Sequence, residues 1–186
     1  MTADLSRRLS SMDLWDEEEH SELPEWGNRG VLSASVVESS VPALFAAQVV
    51  RAPEAVAVCF DGRSMSYREL DEASNRLARL LIAQGAGPGR SVGLLMGRSV
   101  DAVVAILGVL KSGAAYLPID PVVPDARVEF MLADAGPVAV LATAELAGRL
   151  GGCGVAVIDV ADPRIEGQSV AALPLPAPDD VAHIIY

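Results

Sequence analysis

The stretch Leu110-Lys111-Ser112-Gly113-Ala114-Ala115-Tyr116-Leu117-Pro118-Ile119-Asp120 joins an apolar helix to an apolar extended run. Before it, Val100, Val103, Val104, Ile106, Leu107, Val109 and Leu110 leave a helix over 100–112 with no broad polar face, so it has to be covered on more than one side. Gly113 closes that helix. Residues 114–119 then lack polar alternation, the pattern of a strand with both faces of a parallel sheet covered. Ser91–Met96 reads as the strand before, Gly97-Arg98 as a turn, and Ser99 as the N-cap of the helix. Strand, helix and strand in this order imply a right-handed crossover. The expected fold class is α/β, a layered, mostly parallel sheet with packed helices.

The unit repeats downstream. Asp120-Pro121 turns, Pro124 opens a helix through Phe130, Met131 and Leu132, Gly136-Pro137 ends it, and 138–141 is the next strand. Residues 145–150 and 155–160 form a weaker helix–strand pair. After Asp162 the prolines Pro163, Pro174, Pro176 and Pro178 predict a surface loop, and residues 181–186 read as the start of a further strand.

Upstream, residues 42–51 read as a short helix opened by proline and stopped before Pro53. A strand over 55–60 turns at Asp61-Gly62 into a second strand ending near Met65. Ser66 followed by Glu69 is a capping box, with Met65 and Leu70 at the positions of a hydrophobic staple. The helix behind it is expected to turn Leu70, Ala73, Leu77, Leu80, Leu81 and Gln84 inward, and Asp71, Glu72, Asn75, Arg76 and Arg79 outward. Gly85–Ser91 runs from helix to strand and has Arg90 where a phosphate-binding loop needs lysine, so it reads as a helix C-cap and turn.

A chain of 186 residues suffices for one core or for a piece of a larger domain. Hydrophobic residues make up 51% and aromatic ones only 4%, so Ala, Val and Leu carry the core. The net charge of −11 argues against nucleic acid and anionic membrane surfaces as partners. Residues 1–40 hold −6 of it, and their scattered Leu, Met and Trp suit short helices without a core; Asp16-Glu17-Glu18-Glu19 suits a first helical turn. Cys59 and Cys153 form no recognisable pair and are expected to be reduced in a cytoplasmic protein. The residue pattern predicts neither a signal peptide nor a membrane span.

Few side chains invite a chemical role. Lys111 at a helix C-terminus suits the helix dipole better than a phosphate contact. Tyr116 and Asp120 suit packing and turn capping, His183 reads as a strand histidine, and His20 has no nearby partner. No carboxylate pair, Cys/His cluster or Ser/His set has catalytic or metal-binding spacing.

The wording of two of these segments is specific. Ser66-Tyr67-Arg68-Glu69-Leu70 resembles the first core motif of amino-acid adenylation domains of nonribosomal peptide synthetases, in the adenylate-forming ligase superfamily. Leu110 through Asp120 resembles the second almost letter for letter. Residues 73–81, 87–93 and Arg98-Ser99 follow the same family, and residues 13–29, ending in Glu25-Trp26-Gly27-Asn28, resemble the connector from an upstream condensation domain. The resemblance divides the chain into an acidic connector over 1–40 and the N-terminal portion of the large adenylation subdomain over 41–186.

The resemblance implies a reaction. An amino-acid carboxylate attacks the α-phosphate of ATP, giving an aminoacyl adenylate and pyrophosphate, and the acyl group passes to the phosphopantetheine thiol of a carrier protein. ATP and magnesium are implied for the complete domain, with condensation domain, carrier protein and an MbtH-like protein as partners. The family's phosphate loop would follow Tyr186, so the resemblance assigns no catalytic, cofactor-binding or metal-binding residue here and predicts that the chain alone is inactive. The family-motif residues Ser66, Tyr67, Glu69, Leu70, Lys111, Gly113, Tyr116, Pro118 and Asp120 are expected to be structural. Two other readings stand beside it: a non-catalytic interaction or complementing module with the same partial fold, and a fragment of an acyl-CoA or aryl-acid ligase.

Overall fold

A computed structural model describes residues 16–19, 22, 27 and 38–186. The chain divides into two compact units, Met1–Val37 and Glu38–Tyr186. In the first unit, residues 17–19 are helical. The Glu19 backbone N–H donates to Asp16 Oδ1 at 2.8 Å and the Asp16 N–H donates to Glu19 Oε2 at 3.0 Å, so Asp16 caps the turn that its acidic run suggested. The rest of the expected connector, with His20, Trp26 and Asn28, lies outside the described residues.

The second unit opens with helix α1 (Val41–Arg51), which has proline in its first turn. Strands β1 (Val56–Phe60) and β2 (Arg63–Ser66) form an antiparallel hairpin. Its turn places Asp61 at φ 51° and Gly62 at φ 75°, the pair of left-handed residues that keeps hairpin strands in their natural twist. Helix α2 (Tyr67–Ala83) comes next, with the capping box at Ser66 complete on both sides.

The central sheet comprises β3 (Ser91–Leu95), β4 (Ala115–Ile119), β5 (Ala139–Ala142) and β6 (Ala156–Asp159). Their spatial order is β4-β3-β5-β6, and every pairing is parallel. Helices α3 (Val100–Lys111) and α4 (Asp125–Ala135) make the crossovers around β4. Two smaller helices, α5 (Ala144–Ala147) and α6 (Pro163–Glu166), flank β6.

The alternation of side chains along the strands builds two cores. Val92, Leu94, Ala139 and Leu141 point to one face, where they meet Leu77, Leu81, Ala105 and Val109. Leu95, Val140 and Ala142 point to the other, against Val128, Met131 and Leu132 of α4. Each fully buried Leu or Val contributes on the order of 2 kcal/mol, and every residue of β3 and β5 is buried. These two strands therefore anchor the unit.

Several expectations need correction. Gln84, expected inward, is exposed, whereas Asn75, expected outward, is only 2% exposed. Strand β4 is not covered on both faces: Tyr116 is half-buried and Pro118 exposed, because this face opens into a cleft beside Met96, Ala102 and Ile106. The proline-rich tail does not begin as loop. Pro163 opens α6, capped by Asp162, because proline fits a first helical turn. Residues 181–186 form no strand of their own and pair with β4 through the single parallel bridge Tyr116–His183.

Candidate functional site

The carboxyl ends of the parallel strands are where an α/β sheet binds ligands, since helix N-termini and loops converge there. A cleft of about 350 Å³ opens at the ends of β3 and β4, lined by Met96, Gly97, Arg98, Pro118, Asp120 and Pro121. Its floor is apolar, with Leu94, Ala102 and Ile106. Ser99 accepts from the Ala102 backbone N–H at 3.0 Å and so starts α3 at this edge. Asp120 Oδ1 accepts from the Val122 N–H at 3.0 Å, closing a turn. Sequence reasoning missed Arg149. Its guanidinium donates to Asp125 Oδ1 at 2.7 Å and to the carbonyls of Pro121 and Val123 at 2.5 and 2.6 Å, bracing the loop after β4.

The densest polar constellation lies elsewhere, between α2 and α3. Lys111 is 8% exposed, and its Nζ donates to Asp71 Oδ1 at 2.7 Å, Ser74 Oγ at 2.7 Å and Asn75 Oδ1 at 2.8 Å. The Asp71 carbonyl lies 3.1 Å away, and the Phe45 ring centroid 5.1 Å. Burial pushes the Lys111 ammonium below its ordinary value, while the hydrogen bond and charge of Asp71 act against that. Ser74 Oγ donates to the Leu70 carbonyl at 2.7 Å, and Asn75 Nδ2 to Asp71 Oδ2 at 3.1 Å and to the Val170 carbonyl at 2.9 Å.

Lys111 thus neither awaits a phosphate nor merely complements a helix end. It is a buried cation whose donors all engage one helix. The sequence carried part of a signal: Leu70, Ser74, Leu77 and Leu81 share one helical stripe, so the Ser74 hydroxyl faces the core, but nothing local points to Lys111 as its partner or to the burial of Asn75. Asp71 and Asn75 turn toward α3 because Lys111 reaches across to them.

The remaining motif residues fall into three places. At the start of α2, the Ser66 backbone N–H donates to Glu69 Oε2 at 2.7 Å and the Glu69 N–H to Ser66 Oγ at 3.3 Å. The Ser66 backbone and hydroxyl donors hold the Glu69 carboxyl below its usual value. The Tyr67 ring lies 5.9 Å from Phe45, and Leu70 is buried. At the turn from α3 to β4, Gly113 has φ +82°, and a Cβ there would stand 3.0 Å from Pro88 Cδ, so both backbone shape and space require glycine. On β4, Tyr116 lies beside His183 with ring centroids 5.6 Å apart. Farther out, Tyr186 donates to Asp134, which raises the phenol's pKa, and packs edge-on against Phe130 at 6.1 Å.

No His/Cys/Asp/Glu group among the described residues is placed to hold a metal ion. Cys59 and Cys153 are free. No helix among the described residues is long and apolar enough to cross a membrane.

A parallel sheet whose central strands are covered on both faces, with a cleft at its carboxyl edge, has the layout of an α/β ligand-binding scaffold. Residues 45–186 match the model of the AMP-binding enzyme family, and the chain belongs to that family. It is 52% identical over 181 residues to the isonitrile lipopeptide synthase of Mycobacterium tuberculosis, covering 97% of this chain and 7% of that protein. A dimodular nonribosomal peptide synthase of Bacillus subtilis is 37% identical over 149 residues, covering 80% of this chain and 6% of its own length. The crystal structure of the nonribosomal peptide synthetase FmoA3 with α-methyl-L-serine-AMP bound superposes with a TM-score of 0.76 at 32% identity, over 94% of this chain and 20% of that one. The chain therefore spans only a small part of the proteins it matches.

Proposed function

We propose that this chain is the opening part of an amino-acid adenylation domain, residues 41–186, in a module that makes aminoacyl-AMP from an amino acid and ATP. Residues 1–40 serve as the connector from a condensation domain. In the reaction a carboxylate oxygen bonds to the α-phosphorus of ATP as the bond to the β-phosphate bridge breaks and pyrophosphate leaves. A carrier-protein phosphopantetheine thiol then takes the acyl group and AMP departs. An MbtH-like protein belongs among the partners of the assembled module.

The observation that carries this reading is the likeness over nearly the whole chain to a synthetase whose structure holds an aminoacyl adenylate. Residues 38–186 supply scaffold: a packed sheet, a cleft at its carboxyl edge and two helices locked by Lys111. The decisive test is ATP–pyrophosphate exchange in the full-length protein across the amino acids. Exchange dependent on one or a few amino acids is expected from the full protein and none from residues 1–186 alone. Activity of the short chain would overturn the scaffold assignment, and amino-acid-independent or absent exchange in the full protein would overturn the adenylation reading.

A further inference from the structure

After α6 the backbone runs from Gly167 to Ala182 without helix or strand. A segment of this length with no ladder of its own needs other anchors. Its carbonyls are taken by two side chains of α2. Arg79 Nε donates to Ser169 O at 3.2 Å, and its Nη2 to Ala171 O at 2.8 Å and Ala172 O at 3.3 Å. Asn75 Nδ2 donates to Val170 O at 2.9 Å. The Asn75 amide has no freedom to turn round, because its Oδ1 accepts from Lys111 Nζ at 2.8 Å. Four successive carbonyls are thus gripped by one helix face, whose own position is locked to α3 by the ion pair between buried Lys111 and partly buried Asp71.

Beyond the gripped carbonyls the chain turns back to the sheet. The Ala177 N–H donates to Asp180 Oδ2 at 2.9 Å, turning the chain toward β4. The Tyr116 N–H then donates to Ala182 O and the Ile184 N–H to Tyr116 O, each at 3.0 Å. The pairing is parallel, so residues 182–184 head for the same edge as the carboxyl end of β4. That is the ligand-binding edge of an α/β sheet. The single bridge is backed by the Tyr116–His183 ring contact, by Ile184 packed on the second core and by Tyr186 on Asp134. The grip adds the anchor upstream of them, fixing where the segment starts its return to the sheet.

We propose that Arg79 and Asn75 are positioning residues for ligand binding at the carboxyl edge of the sheet: by anchoring residues 169–172 they hold 182–184 in register beside β4. Lys111 acts behind them by orienting Asn75. The activity arm of the test rests on the adenylation reading; the exchange arm does not.

The test uses the full-length protein carrying Arg79→Gln, Arg79→Lys or Arg76→Gln, the last removing a charge from the same helix without touching the segment. In hydrogen exchange read by mass spectrometry, Arg79→Gln is expected to speed exchange of the Tyr116 and Ile184 amides, the N–H groups of the β4 pairing, by roughly tenfold or more while α2, α3, β3 and β5 keep their protection. Arg79→Lys should fall between, since one ammonium cannot replace the forked donor. Exchange as slow as in Arg76→Gln, or acceleration spread evenly over the whole unit, would overturn the proposal. In pyrophosphate exchange, Arg79→Gln is expected to raise KM for ATP roughly tenfold with kcat little changed, the mark of lost binding, with partial recovery in Arg79→Lys. Unchanged kinetics in a locally loosened variant would refute the positioning role. A wild-type protein without exchange activity would refute the adenylation reading instead, leaving the hydrogen-exchange result to decide the grip.

Discussion

Asp71 and Lys111 are worth more as a pair than either is alone. Removing only the carboxylate leaves a buried ammonium with neutral partners, and such uncompensated charges typically cost about 3–5 kcal/mol. Asp71 is 25% exposed at its side chain, so water recovers part of the loss. Asp71→Ala should therefore lower unfolding free energy by about 2–3 kcal/mol in urea titrations, and adding Lys111→Met should restore most of it. No recovery in the double variant would mean that the pair is not the unit. The pH dependence has a definite sign. Burial depresses the folded-state pKa of Lys111 below its ordinary 10.5, so the unfolded chain binds the proton more tightly. The contribution of Lys111 to stability should rise with pH through the window ending near 10.5 and stay flat below its folded value. Comparing wild type with Lys111→Met from neutral to alkaline pH isolates it, and a falling difference would contradict the assignment. Ser66→Ala, which removes a helix cap, should cost about 1 kcal/mol.

At the scale of elements, the α2–α3 contact depends on close approach. A Cβ at Gly108 would lie 2.9 Å from Leu77 Cδ2, 3.0 Å from Cγ and 3.1 Å from Cβ, so the clash is with the whole stem of that leucine. Alanine ordinarily favours a helix over glycine by about 1 kcal/mol, but overpacking typically costs about 1–3 kcal/mol. Gly108→Ala should thus be destabilising by about 1 kcal/mol, and Gly108→Ala combined with Leu77→Ala should lose less than the two changes summed. Strict additivity in thermal or urea unfolding would show that the helices can move apart freely. The helices themselves were readable in the chain: the capping box at Ser66, the cap at Ser99 and the stop at Gly113 all rest on local geometry. The polar contact between α2 and α3 was not, because it joins Asp71 to Lys111 across 40 residues of sequence. Outward placement of Asn75 obeyed the usual rule for amides and failed for the same reason.

Across the whole unit, protection should track the sheet order. β3 and β5 are flanked on both sides and fully buried, whereas β4 and β6 are edges and the bridge at His183 is a single pair. Native-state hydrogen exchange should therefore be slowest in β3 and β5, faster in β4 and β6, and fastest in 169–186. Equal protection in β4 and β3 would mean that the β4 edge is covered in solution. Local patterning determined much of this protein: apolar runs, caps and glycine stops specify strands, helices and their alternation, and an α/β sheet results from them. The two motif stretches also carry the family, whose model matches residues 45–186. Tertiary structure alone decided which strands became edges, that Lys111 is committed to α2, and that Arg79 and Asn75 grip the segment leading to the ligand edge. Hydrophobic period and capping act within a few residues and are written locally. Ion pairs and carbonyl grips join groups tens of residues apart, and only the packed chain brings them within hydrogen-bonding distance.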